Sequence, residues 1–162
     1  MTVRRLIRAP GLLLGMGLGA FVDGIVLHQL LQWHHVVSQR EPTSTVVGLE
    51  LNTLWDGLFH VLAWVAVVAG VALLSSRLHG MAAAPPTAML WGWVLTGWGA
   101  FNLVEGLVNH HLLGVHHVRD DLGGPVGWDL AFLATGVLLL GFGQLALARS
   151  ETARQVRSLP DP

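Results

Sequence analysis

Four long apolar stretches constrain this chain more than any other feature of its sequence. They cover roughly 11–36, 51–75, 87–113 and 127–148, and the clearest reads GLFHVLAWVAVVAGVALLSS. A helix needs about 20 mostly apolar residues to cross a bilayer. In lipid, only helices and closed barrels satisfy all of their backbone hydrogen bonds. The sequence therefore predicts an all-α integral membrane protein, a bundle of four transmembrane helices.

The composition supports this prediction and excludes several classes of protein. Charged residues make up 12% of the chain, whereas a soluble domain carries about 25%. The chain has no cysteine, which excludes disulfides, thiolate metal ligands and thiol nucleophiles. Its net charge is −1 and it has no basic patch, so we predict the lipid bilayer as a partner and no nucleic acid.

The positions of the arginines predict domain limits and orientation. Residues 1–10 form a short N-terminal segment, 11–148 the transmembrane domain and 149–162 a polar tail. All nine cationic residues are arginines, and seven lie in the N-terminal segment, the loop at 76–86 or the tail; the other side holds Arg40 and Arg119. Cytoplasmic loops collect arginine, which predicts cytoplasmic termini. Tryptophans are enriched at membrane interfaces. This predicts one outer group and one inner group: Trp33, Trp55 and Trp128 outside, and Trp91 and Trp93 inside.

The first and third stretches carry the same polar pattern. Residues 22–36 read VDGIVLHQLLQWHHV and residues 104–118 read VEGLVNHHLLGVHHV, an offset of 82. The second and fourth stretches align more weakly, through LWDGLF and GWDLAF, which pair Asp56 with Asp129. The pattern predicts two parallel helix-pair repeats, related by a pseudo-twofold axis along the membrane normal. Because the first stretch carries half of the repeat, we predict a membrane span there and not a signal peptide.

The polar residues of the repeat predict a metal site. Charged groups inside a bilayer are costly and usually functional. At about 1.5 Å per residue, His28, His60 and His110 lie in one layer about 12–14 Å from the outer helix ends. Residues seven apart share a helix face, so His28 would align with His35, and His110 with His117. The predicted ligands lie in the outer half of the bundle: His28, His60, His110, His35, His117, Asp56, His34, His116, Asp23, Glu105 and Asp129.

The repeat is broken at one position, which suggests an open coordination site. The residue that corresponds to His60 in the fourth helix is Leu133. Three histidine ligands with a fourth position open are typical of a reactive metal site. We therefore hypothesise that His28, His60 and His110 bind the ion and that Leu133 leaves one side free.

Three functions fit these residues. The first is a membrane protein that binds or transfers a metal ion. The second is a membrane metalloenzyme with one or two copper, iron or zinc ions and redox, oxygen or hydrolytic chemistry. Its histidine spacing differs from the H-x3-H and H-x2-HH boxes of membrane di-iron oxygenases. The third is a haem b protein ligated by His28 and His110. A metal-free proton path and a polar structural core also remain open, and no feature identifies a substrate.

Two segments resemble a known family. GAFVDGIVLHQLLQWHH and NLVEGLVNHHLLGVHH are similar to bacterial four-helix membrane proteins catalogued as a domain of unknown function (DUF2243), over about residues 11–148. The association of these proteins with copper-insertion factors implies copper handling linked to cytochrome oxidase assembly. The resemblance thus ranks copper before iron or zinc, and it names the oxidase or an insertion factor as a partner. A homo-oligomer is a further possibility.

Overall fold

Four helices form the protein. A computed structural model describes residues 2–79, 81 and 84–157, and these residues contain helices and loops with no strand. The all-α fold predicted from the sequence is therefore confirmed. The helices are α1 (Val3–Val22), α2 (Val46–Leu78), α3 (Thr87–Glu105) and α4 (Val126–Arg157). Helix α4 continues without a break beyond residue 148, where the sequence predicted the start of a polar tail.

Helices α1 and α3 both change their winding before they end. The first π segment, Asp23–Leu30, follows α1, and the second, Gly106–Leu112, follows α3. A π-helix bonds each amide to the fifth preceding carbonyl, and such segments occur frequently at functional sites. Both segments end with such a bond, from Leu31 N–H to Val26 O and from Leu113 N–H to Val108 O. The His-His pairs therefore lie beyond the helices, and the expected helical stripes do not extend to them.

The helices pack in the order α2, α1, α3, α4. Helix α1 contacts α2 and α3, and α3 also contacts α4. The central pair approaches closely through glycines: a Cβ on Gly15 would overlap Val94 O, and one on Gly97 would overlap Leu12 O. Small residues commonly permit such contact between membrane helices, where dispersion and close packing drive association. This central pair places the two π segments side by side.

Among the described residues, three helices are long and apolar enough to cross a membrane. They are Val3–Leu30, Val46–Leu78 and the part of α4 from Val126 to Ala153. The third predicted span, α3 with its π segment, is not among them. Tryptophans, glycines and polar residues such as Asn102 and Glu105 lower its mean hydropathy, and its position between α1 and α4 buries them.

The two ends of the bundle differ in chemistry. At one end, which we call the arginine end, Arg77 donates to Leu6 O and Arg4 pairs with Glu151. This end contains an apolar core of Ile7, Met89, Trp93 and Leu147. Trp93 is buried there, and its place at the inner interface stays a prediction. The other end, the histidine end, holds the π segments and the loops that follow them.

Candidate metal centre

Two loops fold back over the ends of the π segments. The first histidine loop comprises residues 31–45 and the second comprises residues 113–125. Each begins with a left-handed residue, Gln32 at φ 51° and Gly114 at φ 55°. Glycine adopts this conformation freely, whereas glutamine does so at an energetic cost. The turn directs each His-His pair back toward the bundle.

The two loops hold each other through reciprocal backbone hydrogen bonds. Gln39 N–H donates to Val115 O, and Asp121 N–H donates to Trp33 O. Arg119 covers this junction, with its guanidinium 4.4 Å from the Trp33 ring centroid. The Arg119 guanidinium also bonds Asp121 and lowers the pKa of that carboxyl below its ordinary value. The histidine loops are thus fixed relative to each other.

Each loop also orients a histidine of the other loop. The buried His34 donates from Nδ1 to Val118 O at 3.0 Å, and the buried His116 donates from Nδ1 to Val36 O at 2.9 Å. A carbonyl only accepts hydrogen bonds, so each Nδ1 carries the proton. In the neutral ring, Nε2 then has the free lone pair. The two rings stack in parallel with their centroids 4.6 Å apart.

Asp56 organises the first half of the site. Its carboxylate accepts hydrogen bonds from His28 Nδ1 at 3.0 Å and His35 Nδ1 at 2.6 Å. It also accepts from Gln29 Nε2 and from the Val36 amide, both at 3.0 Å. Asp56 is almost completely buried. Its carboxylate therefore fixes two histidine rings and the backbone of the first histidine loop at once.

Asp129 occupies the matching position in the second half. It accepts from His117 Nδ1 at 2.7 Å and from the Val118 amide at 2.9 Å. His110 Nδ1 lies 3.4 Å from Asp129 Oδ1. The residues in these contacts follow the sequence offsets of 82 and 73. The parallel duplication itself stays a prediction, which these matched contacts support.

The remaining ring nitrogens and two further carboxylates face one another in a buried cluster. His28 Nε2 lies 3.3 Å from Asp23 Oδ2, and His34 Nε2 lies 3.9 Å from Asp23 Oδ1. In the other half, His110 Nε2 lies 3.2 Å from Glu105 Oε2. Most of these atoms are buried without a hydrogen-bond partner among the described residues: both Asp23 oxygens, Glu105 Oε2 and Nε2 of His28, His34 and His110. Buried polar atoms without partners are costly.

His116 and Glu105 meet in a contact that requires a further proton or a metal ion. His116 Nε2 lies 2.9 Å from Glu105 Oε1, while His116 Nδ1 already donates to a carbonyl. With a neutral ring and an ionised carboxylate, this contact would join two acceptors. A second proton on the ring, a proton on the carboxyl or a metal ion resolves the repulsion. Among the described residues, the ion pairs of the four buried acids involve histidines and no arginine.

Two sets of three side chains satisfy the spacing of a metal site. One set is His28, His34 and His116, and the other is Glu105, His110 and His116. Within each set the ligand atoms lie within 4.8 Å of one another, and all of the residues are buried. Metal bonds to nitrogen and oxygen are about 2.0–2.2 Å long, so small side-chain movements would bring each set onto one ion. Either set would leave a coordination position open.

His60 lies beside the cluster and belongs to neither set. Its Nδ1 donates to Asp56 O at 2.7 Å, and its ring contacts Phe21 and Phe59. Its Nε2 is buried without a partner among the described residues and lies against Gly24. Leu133 packs against Gly106 in the same manner. The structure thus does not group His60 with His28 and His110, and its role as a ligand stays a prediction.

The sequence identified the polar side chains of the cluster but missed their backbone partners. The structure brings together six of the predicted residues: Asp23, His28, His34, Glu105, His110 and His116. Four more lie next to this cluster, where each carboxylate bonds a histidine: Asp56 with His35, and Asp129 with His117. The carbonyls of Val36 and Val118 were missed because an apolar residue gives no sign of the bond its backbone makes. Gln32 and Gly114 occupy equivalent positions in the repeat, and the glycine at one of them was the sequence signal for a turn there.

Fold and site together define an integral membrane protein with a buried histidine–carboxylate cluster at one end of a helical bundle. The chain belongs to a family described as predicted membrane protein (DUF2243), which matches residues 10–150 and has no known function. No curated protein and no solved structure has a significant match to it.

Proposed function

We propose that the buried cluster is a transition-metal centre and that the protein binds or transfers the ion within the membrane. One observation carries this proposal. Ring nitrogens and carboxylate oxygens that lack hydrogen-bond partners among the described residues converge at 3.2–3.9 Å, while Nδ1 of His28, His34 and His116 is bonded to a protein acceptor. Metal-binding histidines typically donate their other ring N–H to a carboxylate or carbonyl. A cluster built only for packing has no need to orient three rings in this way.

The ligands divide into two similar groups. Asp23, His28 and His34 form one group, and Glu105, His110 and His116 form the other. A ring nitrogen of His116 also lies within 4.8 Å of ring nitrogens of His28 and His34, so His116 would serve both groups. Each group offers one carboxylate and two imidazoles, so we propose a centre that accommodates up to two ions. Asp56 would orient ligands of the first group, and Asp129 would orient ligands of the second. His35 and His117 would hydrogen-bond to these two carboxylates. His60 is the candidate for one further ligand.

Copper is our first candidate, followed by iron and zinc. Imidazole with carboxylate suits all three metals. Thioethers favour copper(I), but Met89 is buried at the arginine end and Met16 lies within α1, seven residues before Asp23. We propose copper handling linked to respiratory oxidase assembly on the family resemblance, with the oxidase or an insertion factor as partner.

A membrane metalloenzyme is the second candidate function. Two adjacent ligand groups would place two ions close together, an arrangement that many enzymes use to activate water or oxygen. A cavity of about 420 Å³ at the histidine end is lined by His34, His35, Ser38 and Asp120, among others. This cavity supports either function, since an ion to be transferred and a small substrate both need access.

Metal analysis of the purified protein tests the proposal. We expect one to two equivalents of copper, iron or zinc per chain after detergent extraction without chelator, measured by inductively coupled plasma mass spectrometry. An absorption spectrum of the same sample should lack a Soret band. A Soret band would instead identify the haem b alternative. Metal below about 0.2 equivalents after reconstitution with each of the three ions would contradict a metal centre.

We also propose that the histidine end faces away from the cytoplasm. Seven of the nine arginines lie in the segments assigned to the opposite side. Because cytoplasmic segments collect arginine, both termini would be cytoplasmic. Reporter fusions should therefore show periplasmic activity after Arg40 and cytoplasmic activity after Arg149. The reverse result at both positions would place the centre on the cytoplasmic side.

A further inference from the structure

A second polar site lies at the arginine end, on the opposite side of the bundle from the metal cluster. A cavity of about 410 Å³ is lined there by Thr2, Arg4, Arg5, Arg8, Trp93 and Glu151. Three of these six residues are arginines and one is acidic. No part of the proposed metal function uses this cavity, so the two sites are independent.

The arginines at the cavity are only partly neutralised. Arg4 donates to both oxygens of Glu151 at 2.8 Å. Arg5 and Arg8 are exposed, and neither makes an ion pair with a described residue. The guanidinium groups of Arg4 and Arg8 lie 5.6 and 5.5 Å from the ring centroid of Trp93. Cation–π contact thus holds positive charge at the cavity wall.

The cavity also contains a buried donor without an acceptor. Trp93 is 7% exposed, and its Nε1 is buried with no hydrogen-bond partner among the described residues. An indole N–H can only donate, so it needs an acceptor that none of the described residues supplies. The first turn of α1 has no acidic residue, and Thr2 makes no side-chain cap. The one acid of the lining, Glu151, is already bonded to Arg4, so donors and positive charge are in excess around this space.

We propose that this cavity binds the phosphate group of an anionic phospholipid. A phosphate supplies several strong acceptor oxygens and negative charge, which match guanidinium groups and the indole N–H. The cavity lies at the helix ends, and exposed apolar residues follow in the same helices, such as Trp91, two residues from the cavity-lining Trp93. Basic pockets between membrane helices are typical sites for anionic headgroups. The lipid phosphate would also supply the acceptor that Trp93 Nε1 lacks.

Native mass spectrometry of delipidated protein tests this proposal. The probes are phosphatidylglycerol, phosphatidylcholine with the same acyl chains, and inorganic phosphate. We expect phosphatidylglycerol to bind at least tenfold more tightly than phosphatidylcholine. An arginine near a headgroup contributes about 1 kcal/mol, or about fivefold in affinity, so Arg5→Gln with Arg8→Gln should weaken binding about 25-fold. Trp93→Phe keeps a smaller aromatic ring for the cation–π contacts and removes the indole N–H, and should weaken binding several-fold.

Arg149→Gln is the matched control, because Arg149 is an exposed arginine in α4 that does not line the cavity. It should leave phosphatidylglycerol binding within twofold. An equal loss in this control would show general attraction to charge and would overturn the proposal. Inorganic phosphate that binds as tightly as the lipid would identify a soluble anion site instead. Size-exclusion profiles and circular dichroism confirm that each variant is folded before its affinity is interpreted.

Discussion

Replacing His116 with alanine is expected to remove most of the bound metal. His116 belongs to both sets of closely spaced ligand atoms, and its Nε2 contacts Glu105 Oε1 at 2.9 Å. Its loss removes the nearest hydrogen-bond partner of Glu105 Oε1 and takes one ligand from each set. We expect metal content to fall to about one tenth of the wild-type value or less, measured by mass spectrometry after identical purification.

His79 and His111 provide the controls for this experiment. Both are exposed, and neither belongs to a set of candidate ligands. Alanine at either position should leave the metal content unchanged. The same measurement on His60→Ala decides whether His60 is a further ligand, since loss of the ion would support the three-histidine layer predicted from the sequence. Full occupancy in His116→Ala would mean that the metal, if present, binds elsewhere.

Asp56→Asn should weaken metal binding without removing any ligand. The asparagine has nearly the same shape, but its NH₂ group cannot accept from His28 and His35 as the carboxylate does. Partners of this kind typically affect metal affinity by 10–100-fold. We expect a loss in that range, measured by competition with a chelator of known affinity. A lower midpoint of thermal unfolding should accompany it, because Asp56 also anchors the Val36 amide.

Two further variants show whether this effect is specific. Asp129→Asn should give a loss of similar size, because Asp129 makes the matching contacts with His117 and Val118. Glu50→Gln changes an exposed acid on the same helix as Asp56 and should have no effect on affinity. If Asp56→Asn lowers the unfolding midpoint but leaves metal affinity intact, Asp56 is a structural anchor only.

The sequence predicted the fold class because hydropathy and the hydrogen-bonding needs of lipid leave few choices. It also predicted the polar members of the cluster, since a repeated acid–histidine pattern in an apolar chain is costly to keep. Asp23, His28 and His34 were identified in this way, together with their counterparts 82 residues later. The third predicted span has a weaker hydropathy signal, because α3 is buried by its neighbours and carries more polar residues than a lipid-facing helix.

The geometry of the site could not be predicted, because backbone conformation determines it. The regular α-helical period that relates His28 to His35 fails where the π segments widen the helix and the chain turns at Gln32. His34 and His116 therefore approach the cluster from loops beyond the helix ends and not from the helix faces. The acceptors at Val36 and Val118 are carbonyls, which every residue has and no side chain reveals.

The reciprocal bonds between the histidine loops have a consequence for biosynthesis. His34, in the first half of the chain, donates to Val118, and His116 donates back to Val36. When only α1 and α2 have left the ribosome, His34 has no carbonyl to orient it and His28 faces only half of the ligands. The centre therefore cannot mature until the second loop has been translated and docked. On the proposed function, an ion captured earlier would meet an incomplete and exchangeable set of ligands, and the order of synthesis would delay tight binding until the whole bundle is inserted.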